Sequence, residues 1–307
     1  MMTECERLVE EGFINESFLS EEVRNDYLIS KDQKKCWAIQ LDLLRVIIQL
    51  CEERKLRYWV FGGTMLGAVR HKGFIPWDDD IDVCMPREDY DKLLNEKPKL
   101  DPPYFFRTTV TDDNYYYSYI CVCNCNTTFF GFMGDSNCHK GMQVSIIPLD
   151  GISGNMLLER FRFKTLKLMS VIGHSFAFNV NPRPIVRILH SVLNSSLIRF
   201  DIVSHFRRAN RLAAKKEWDE VEKVGLMIYS SYSFERSIYD KKDFEETLYL
   251  PFENLRVPVP KGYEGILTVQ WGDYMKFPPV EQRVPKHRAE FDMDTPYVEY
   301  CKRKMQK

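Results

Sequence analysis

Apolar residues recur at Trp37, Leu41, Leu44, Ile48 and Cys51, steps of three and four that gather them on one face of a helix from Gln33 to Lys55. Tyr58 to Phe61 then reads as a short buried strand that stops at Gly62-Gly63. Thr64 can cap a short helix reaching about Arg70, because its hydroxyl can accept a free backbone N–H. A loop from His71 to Trp77 leads into Ile81 to Met85, an alternating strand, and Pro86 suits the first turn of a helix over Arg87 to Leu94.

Further on, Tyr104 to Val110, Tyr115 to Cys125, Thr128 to Phe132 and Met142 to Ile147 have the aromatic and β-branched character of strands, and Pro148-Leu149-Asp150-Gly151 is expected to end the series. Beyond it, Leu, Ile, Phe and Val at helical spacing alternate with bases. Between Met156 and Lys216 there are twelve Lys or Arg against Glu159 and Asp201, an excess of +10 in a chain whose total is −1. From Glu217 the prolines at 251, 258, 260, 278 and 279 favour short elements and loops. The pattern divides the chain into an N-terminal extension (1–32), a core (33–155), a basic amphipathic helical segment (156–216) and a C-terminal segment (217–307).

At 307 residues and 44% hydrophobic, the chain can bury a large core, which excludes disorder as its main state. The even charge total argues against a general nucleic-acid binder, and the basic segment carries no nucleic-acid motif beside its charge. Its bases instead fit either packing around a polyanion site or peripheral contact with an anionic membrane. The acidic start Met1-Met2-Thr3-Glu4-Cys5-Glu6 is unlike a secretory signal, and no apolar run reaches the roughly 20 residues a membrane span needs. A cytoplasmic protein, peripheral at most at the inner membrane face, is expected. Its nine Cys then read as reduced thiols.

The chemistry concentrates between Phe61 and Asp82. Asp78, Asp79, Asp80 and Asp82 place four carboxylates in five positions, which would repel by several kcal/mol at low dielectric unless a cation joins them. On a strand, Asp80 and Asp82 share a face, with Asp78 if the strand starts early, and Asp79 points away. Such hard oxygen ligands suit Mg²⁺ or Mn²⁺. Gly62 and Gly63 allow close backbone approach to a ligand, the free N–H groups of the next helix favour an anion, and Arg70, His71 and Lys72 add positive charge. A phosphate cradle beside metal carboxylates describes phosphoryl or nucleotidyl transfer.

The stretch Gly62-Gly63-Thr64 through Arg70-His71-Lys72-Gly73-Phe74-Ile75-Pro76-Trp77-Asp78-Asp79-Asp80-Ile81-Asp82, followed by Met85-Pro86-Arg87-Glu88-Asp89-Tyr90, resembles the LicD family, which includes bacterial phosphocholine transferases and is related to fukutin-type proteins. Ile147 to Gly151 and Pro258 to Tyr263, continuing to Trp271-Gly272-Asp273-Tyr274-Met275 and Pro278-Pro279, match as well. The resemblance covers about residues 33 to 290. It implies an α+β fold, a nucleotidyltransferase-like mixed β-sheet flanked by helices, here with a basic helical insertion. It also implies transfer of a phospho-alcohol, such as phosphocholine or a polyol phosphate, from a CDP-linked donor to a sugar hydroxyl of a glycan, lipid-linked or otherwise. By the same resemblance, Asp80 and Asp82, with Asp78, would hold the metal. Gly62, Gly63 and Thr64 would meet the donor phosphates, and Arg70, His71 and Lys72 would be secondary phosphate contacts.

Two departures stand out. Where relatives carry an Asp in the strand before Pro148, which could complete a carboxylate triad, this chain has Ser145. Where they often carry bases, it has Cys121, Cys123 and Cys125. With Cys138-His139 these thiols raise a zinc site, but C-x-C-x-C spacing favours buried thiols. Asp150 is a substitute acid or a turn residue, and the base is open among His71, Asp78 and Asp150. Trp77 and Trp271 can stack on a ligand or pack in the core. The alternatives to phospho-alcohol transfer are nucleotidylyl transfer from an NTP and an inactive, ligand-binding module of the same fold.

Overall fold

One long strand organises the molecule. The computed structural model describes residues 2–112, 115, 117–130, 139–178, 201–228, 232–285 and 290–305. Among them β8, Gln143–Ile152, is paired along both edges. On one edge it runs parallel to β4 (Asp82–Pro86), which is antiparallel to β3 (Trp59–Phe61) and leads into the helix α4 (Arg87–Glu96). Elsewhere its first half pairs with β6 (Ile120–Asn124) and through it with β5 (Tyr104–Arg107), while its last residues pair with β9 (Lys223–Gly225) and then β10 (Ile238–Asp240). The result is a seven-stranded mixed sheet flanked by helices, the α+β arrangement expected of a nucleotidyltransferase-like fold.

The long helix α2 (Lys31–Glu53) lies where its pattern places it, with Ser30 accepting from the Gln33 N–H at its start. Trp37, Leu41, Leu44 and Cys51 are fully buried, and so are Ala38, Ile39 and Leu43 on flanking faces, so the helix is enclosed along its middle. Truncating a fully buried Trp such as Trp37 to Ala costs about 3–5 kcal/mol. The first thirty residues pack onto this core: Leu8 of α1 (Glu4–Glu10) and Ile29 of the β1–β2 hairpin (Glu22–Arg24, Tyr27–Ile29) are buried.

Several elements depart from the sequence pattern. The helix after the Gly-Gly turn, α3 (Gly62–His71), starts at Gly62 itself. Thr64 lies inside its first turn and caps nothing, its buried hydroxyl accepting instead from the Asp82 N–H at 3.0 Å. Tyr115 and Tyr117 are not in a strand; with Tyr119 they pack against the buried Cys121 and Cys123. The proline at 148 does not end β8. It falls between Ile146, the last residue paired with β6, and Asp150, the first paired with β9, so its missing N–H can face a gap without loss of a ladder bond.

The basic segment supplies α5 (Met156–Phe178) and α6 (Ile202–Ala213), with residues 179–200 outside the described ones. The two helices share a second, small core of Ile152, Phe163, Leu166, Ala209, Ala213, Met227, Phe234 and Ile238. The C-terminal segment contributes a separate hairpin, β11 (Thr247–Phe252) with β12 (Leu255–Pro260), then α7 (Tyr263–Trp271) and a short strand β13 (Phe291–Asp292) beside β7 (Thr128–Phe129), before α8 (Tyr297–Met305). No described helix is long and apolar enough to cross a membrane, and the eight described cysteines are free thiols.

Candidate active site

Asp78, Asp79 and Asp80 do not lie on a strand, because β4 begins only at Asp82. The alternation that would have sent Asp79 away therefore does not apply, and one carboxylate oxygen from each of the three residues lies within 4.8 Å of the others. The turn is held from behind by one face of α2. Gln33, Trp37 and Gln40, spaced four and three apart, donate to the backbone oxygens of Pro76 (2.7 Å), Asp78 (3.3 Å) and Asp79 (2.7 Å). Nothing in the sequence marked Gln33 or Gln40 except two amides sharing a face with a Trp.

The Gly-Gly turn packs directly on these acids. Gly62 has φ +58, a conformation that L side chains rarely adopt, and a Cβ on it would come 3.8 Å from Asp82 Oδ2. A Cβ on Gly63 would sit 2.3 Å from Asp78 Oδ2, so any side chain there displaces the carboxylate. The turn thus brings Asp78 and Asp82 to the N-terminal end of α3, whose first N–H groups carry partial positive charge. Across the sheet, Phe61, Asp82, Ser145 and Cys121 are successive neighbours in register. Ser145 therefore stands beside Asp82, where a third carboxylate would be, with its hydroxyl 3.9 Å from the Cys121 thiol. Burial is the main cause that pushes that thiol up, and the Asp82 charge adds to it.

A cavity of about 550 Å³ opens at this turn, lined by Gly63, Leu66, Arg70, Trp77, Asp78 and, from the C-terminal segment, Trp271 and Tyr274 among others. Arg70 stands in this wall, its Nη1 donating to the Tyr274 backbone oxygen at 2.7 Å. Trp77 is both buried and lining, whereas Trp271 is half-buried. The loop from His71 to Trp77 is tied down by Glu253 of the β11–β12 turn, which accepts from the Phe74 N–H (3.1 Å) and from both terminal nitrogens of Arg24 (2.5 and 3.0 Å).

The remaining residues singled out from sequence take other places. His71 ends α3, stacked on Phe277 at 5.5 Å, and its Nε2 accepts from Arg70 Nε at 2.9 Å, so Nδ1 carries the proton toward Asn25 Oδ1. Burial, with Arg70 and Arg24 nearby, brings its pKa down to about 4. It is a neutral, engaged ring rather than a poised base. Lys72 is exposed, and its left-handed backbone (φ 55) terminates α3. Asp150 is not brought to the other acids. It is fully buried five residues along β8 from Ser145, and Arg87 Nε donates to it at 2.6 Å. Cys125 meets His139 Nε2 at 3.2 Å, while Cys138 lies outside the described residues.

A family model described as the LicD/FKTN/FKRP nucleotidyltransferase domain matches residues 55–187, a span that holds the Gly-Gly turn and all four acids. Residues 55–187 thus match a LicD-family nucleotidyltransferase domain. Over 257 residues, 81% of the chain and 94% of the relative, it is 28% identical to lipopolysaccharide cholinephosphotransferase LicD of Haemophilus influenzae. Shorter stretches are similar to the uncharacterized protein RP689 of Rickettsia prowazekii (37% identity over 83 residues, 27% of the chain and 30% of the relative). Human ribitol 5-phosphate transferase FKRP is 39% identical over 54 residues, 18% of the chain and 11% of the relative. Similarity to the bacterial LicD protein thus extends well beyond the LicD-family domain.

Proposed function

We propose that the chain is a divalent-metal-dependent phosphotransferase that moves a phospho-alcohol from a CDP-linked donor to a sugar hydroxyl of a glycan. The observation that carries this reading is the clustering of Asp78, Asp79 and Asp80 against Gly63, at the mouth of a cavity that also holds Arg70. The names of the relatives support it: one is a cholinephosphotransferase and another a ribitol 5-phosphate transferase.

The donor set fits a hard divalent ion. It is all carboxylate, closely grouped, and backed by a glycine whose missing Cβ leaves room for Asp78. Asp78 and Asp80, with Asp82 on the adjoining strand, would hold Mg²⁺ or Mn²⁺, which when bound supplies positive charge for phosphate oxygens. Arg70 and the first N–H groups of α3 add to the charge that meets a donor diphosphate, while Trp77 and Trp271 wall the cavity. In the transfer, the acceptor oxygen forms a bond to the phosphorus distal to cytidine, the bond from that phosphorus to the CMP phosphate breaks, and CMP leaves. The hydroxyl proton passes to a carboxylate of the turn, since His71 is already an acceptor and Asp150 is sealed beneath Arg87. The exposed bases and apolar residues of α5, among them Lys164, Lys167, Leu157 and Phe161, suit a protein that meets an anionic membrane presenting its acceptor.

Ser145 in the row beside Asp82 favours a second reading, a module that binds a donor without turning it over. Thermal unfolding with Mg²⁺ and a panel of CDP-choline, CDP-ribitol, CDP-glycerol, CTP and UDP-sugars tests both. A donor at a hundred times its dissociation constant stabilises by about 2.7 kcal/mol. Selective stabilisation by one CDP-alcohol, lost in Asp80→Asn, with CMP released when acceptor is added, supports transfer. Stabilisation without CMP release supports the binding module, and release of pyrophosphate from CTP would replace both with nucleotidylyl transfer.

A further inference from the structure

Two guanidiniums whose partners are all neutral stand at the cavity: Arg70 lines it, and Arg283 lies over two of its lining rings. Arg70 donates from Nε to the His71 ring and from Nη1 to the backbone oxygens of Tyr274 (2.7 Å) and Lys276 (3.4 Å). Arg283, between the lining residues Gln282 and Val284, donates from Nε to the Pro278 oxygen (3.0 Å) and from Nη1 to the Asn25 oxygen (3.1 Å). Both lie over rings that line the same cavity. Arg70 is 4.9 Å and Arg283 5.5 Å from the centre of Phe277, and Arg283 is 5.2 Å from that of Trp77.

Several half-buried or buried arginines elsewhere are given acids: Arg7 has Asp42, Arg24 has Glu253, and Arg87 has Asp150. Among the described residues, Arg70 and Arg283 have no carboxylate within ion-pair distance. Arg283 is instead close enough to disfavour the charge on Arg70. Burial and the Arg283 charge bring Arg70 down to about 10, offset in part by Asp78. Two like charges, fixed by backbone carbonyls and ring faces beside a cavity, are held in a fork geometry that matches phosphate oxygens.

We propose that Arg70, in the wall of this cavity, and Arg283, beside it across the Phe277 ring, form a clamp for a phosphate group, with Arg283 as its C-terminal jaw. The inference rests on the phospho-transfer reading only for where the phosphate comes from, the diphosphate of a donor or a phosphate carried by the acceptor. The Asn25 and Pro278 backbone oxygens accept from Arg283 and so position its guanidinium before the anion arrives.

The test is a calorimetric titration of the full chain in EDTA, so that no metal ion bridges the anion to the acidic turn, with inorganic pyrophosphate and separately with glucose 6-phosphate. Against wild type, Arg283→Gln is expected to bind at least tenfold more weakly. Arg283→Lys, which keeps the charge but loses the fork, should fall in between. The rise in melting temperature given by the anion should vanish in Arg283→Gln. Loss confined to pyrophosphate assigns the clamp to the donor, and loss confined to the sugar phosphate assigns it to the acceptor. If wild type binds neither probe, or Arg283→Gln binds both as wild type does, the clamp does not exist. If Arg283→Gln fails to fold, wild-type affinity in Arg283→Lys overturns the fork. A chain that binds pyrophosphate through Arg283 yet releases no CMP from any donor keeps the clamp and loses the transfer reading.

Discussion

The two ends of the β4–β8 pair carry acids of the same kind in opposite circumstances. At the Asp82–Ser145 end, Asp78, Asp79 and Asp80 crowd together beside a cavity, and three of the four acids of the motif are part-exposed. At the other end, Asp150 is shut away with Arg87, whose Nη1 also reaches Asn210 on α6. One strand thus has a working end and a fastening end. Where like charges gather, the fold invites something from solution; where an acid meets its own base in the interior, the pair fastens the basic helices to the sheet.

The largest effect should come from breaking the fastening end. Arg87→Met leaves Asp150 buried with its main partner gone, which typically costs about 3–5 kcal/mol and would be read as a lower urea midpoint. The double variant Arg87→Met, Asp150→Leu should recover most of that loss and keep its turnover; a dead double variant would return Asp150 to the chemistry. Next is the working end, where Asp80→Asn should lower turnover by roughly a hundred- to a thousandfold, about 3–4 kcal/mol of barrier, with the urea midpoint in EDTA unchanged or higher. A smaller change should follow Gln40→Leu, which strips a buried donor from the Asp79 carbonyl. It is expected to cost about 1–3 kcal/mol in stability and to weaken Mg²⁺ binding, although residue 40 touches no ligand.

The smallest effect concerns pH. His71 is held at about 4 and His139 at about 3, both mainly by burial, against about 6.5 in an unfolded chain. Below pH 6.5 the unfolded chain takes up protons that the folded one refuses, so their contribution is complete above that pH and is lost as pH falls toward 4. Each histidine adds at most about 1.4 kcal/mol per pH unit over its window. His71→Asn should flatten the fall of the urea midpoint between pH 6.5 and 4 by its share; an unchanged slope would mean the ring is charged in the folded protein.

Much of the working end was legible because it is local. The Gly-Gly turn, the acids and the Trp37–Cys51 stripe each lie within a few turns of chain, where spacing alone implies neighbours. What escaped was whatever needs a distant partner. Gln33 and Gln40 gain meaning only when a loop some forty residues later lies across them, and Arg87 and Asp150 are as far apart as two ordinary surface charges would be in a list of residues. Arg283 looked like any cation in a proline-rich loop until Phe277 and Trp77 were found beneath it. The misplaced end of β8 has the same origin: whether a proline stops a strand depends on which neighbours need its N–H, and β9 arrives seventy residues later.

The tie between Glu253 and the loop ahead of the acids has a consequence for how the protein comes into being. A ribosome that has added Asp82 has already made every acid of the turn. Yet the residue that anchors Phe74 and Arg24, and the rings that wall the cavity, are synthesised some 170 to 200 residues afterwards. Until then the nascent chain carries a bare acidic turn without its enclosing wall. Premature termination between Asp82 and about residue 280 should therefore yield products that hold the complete motif without the wall that encloses it.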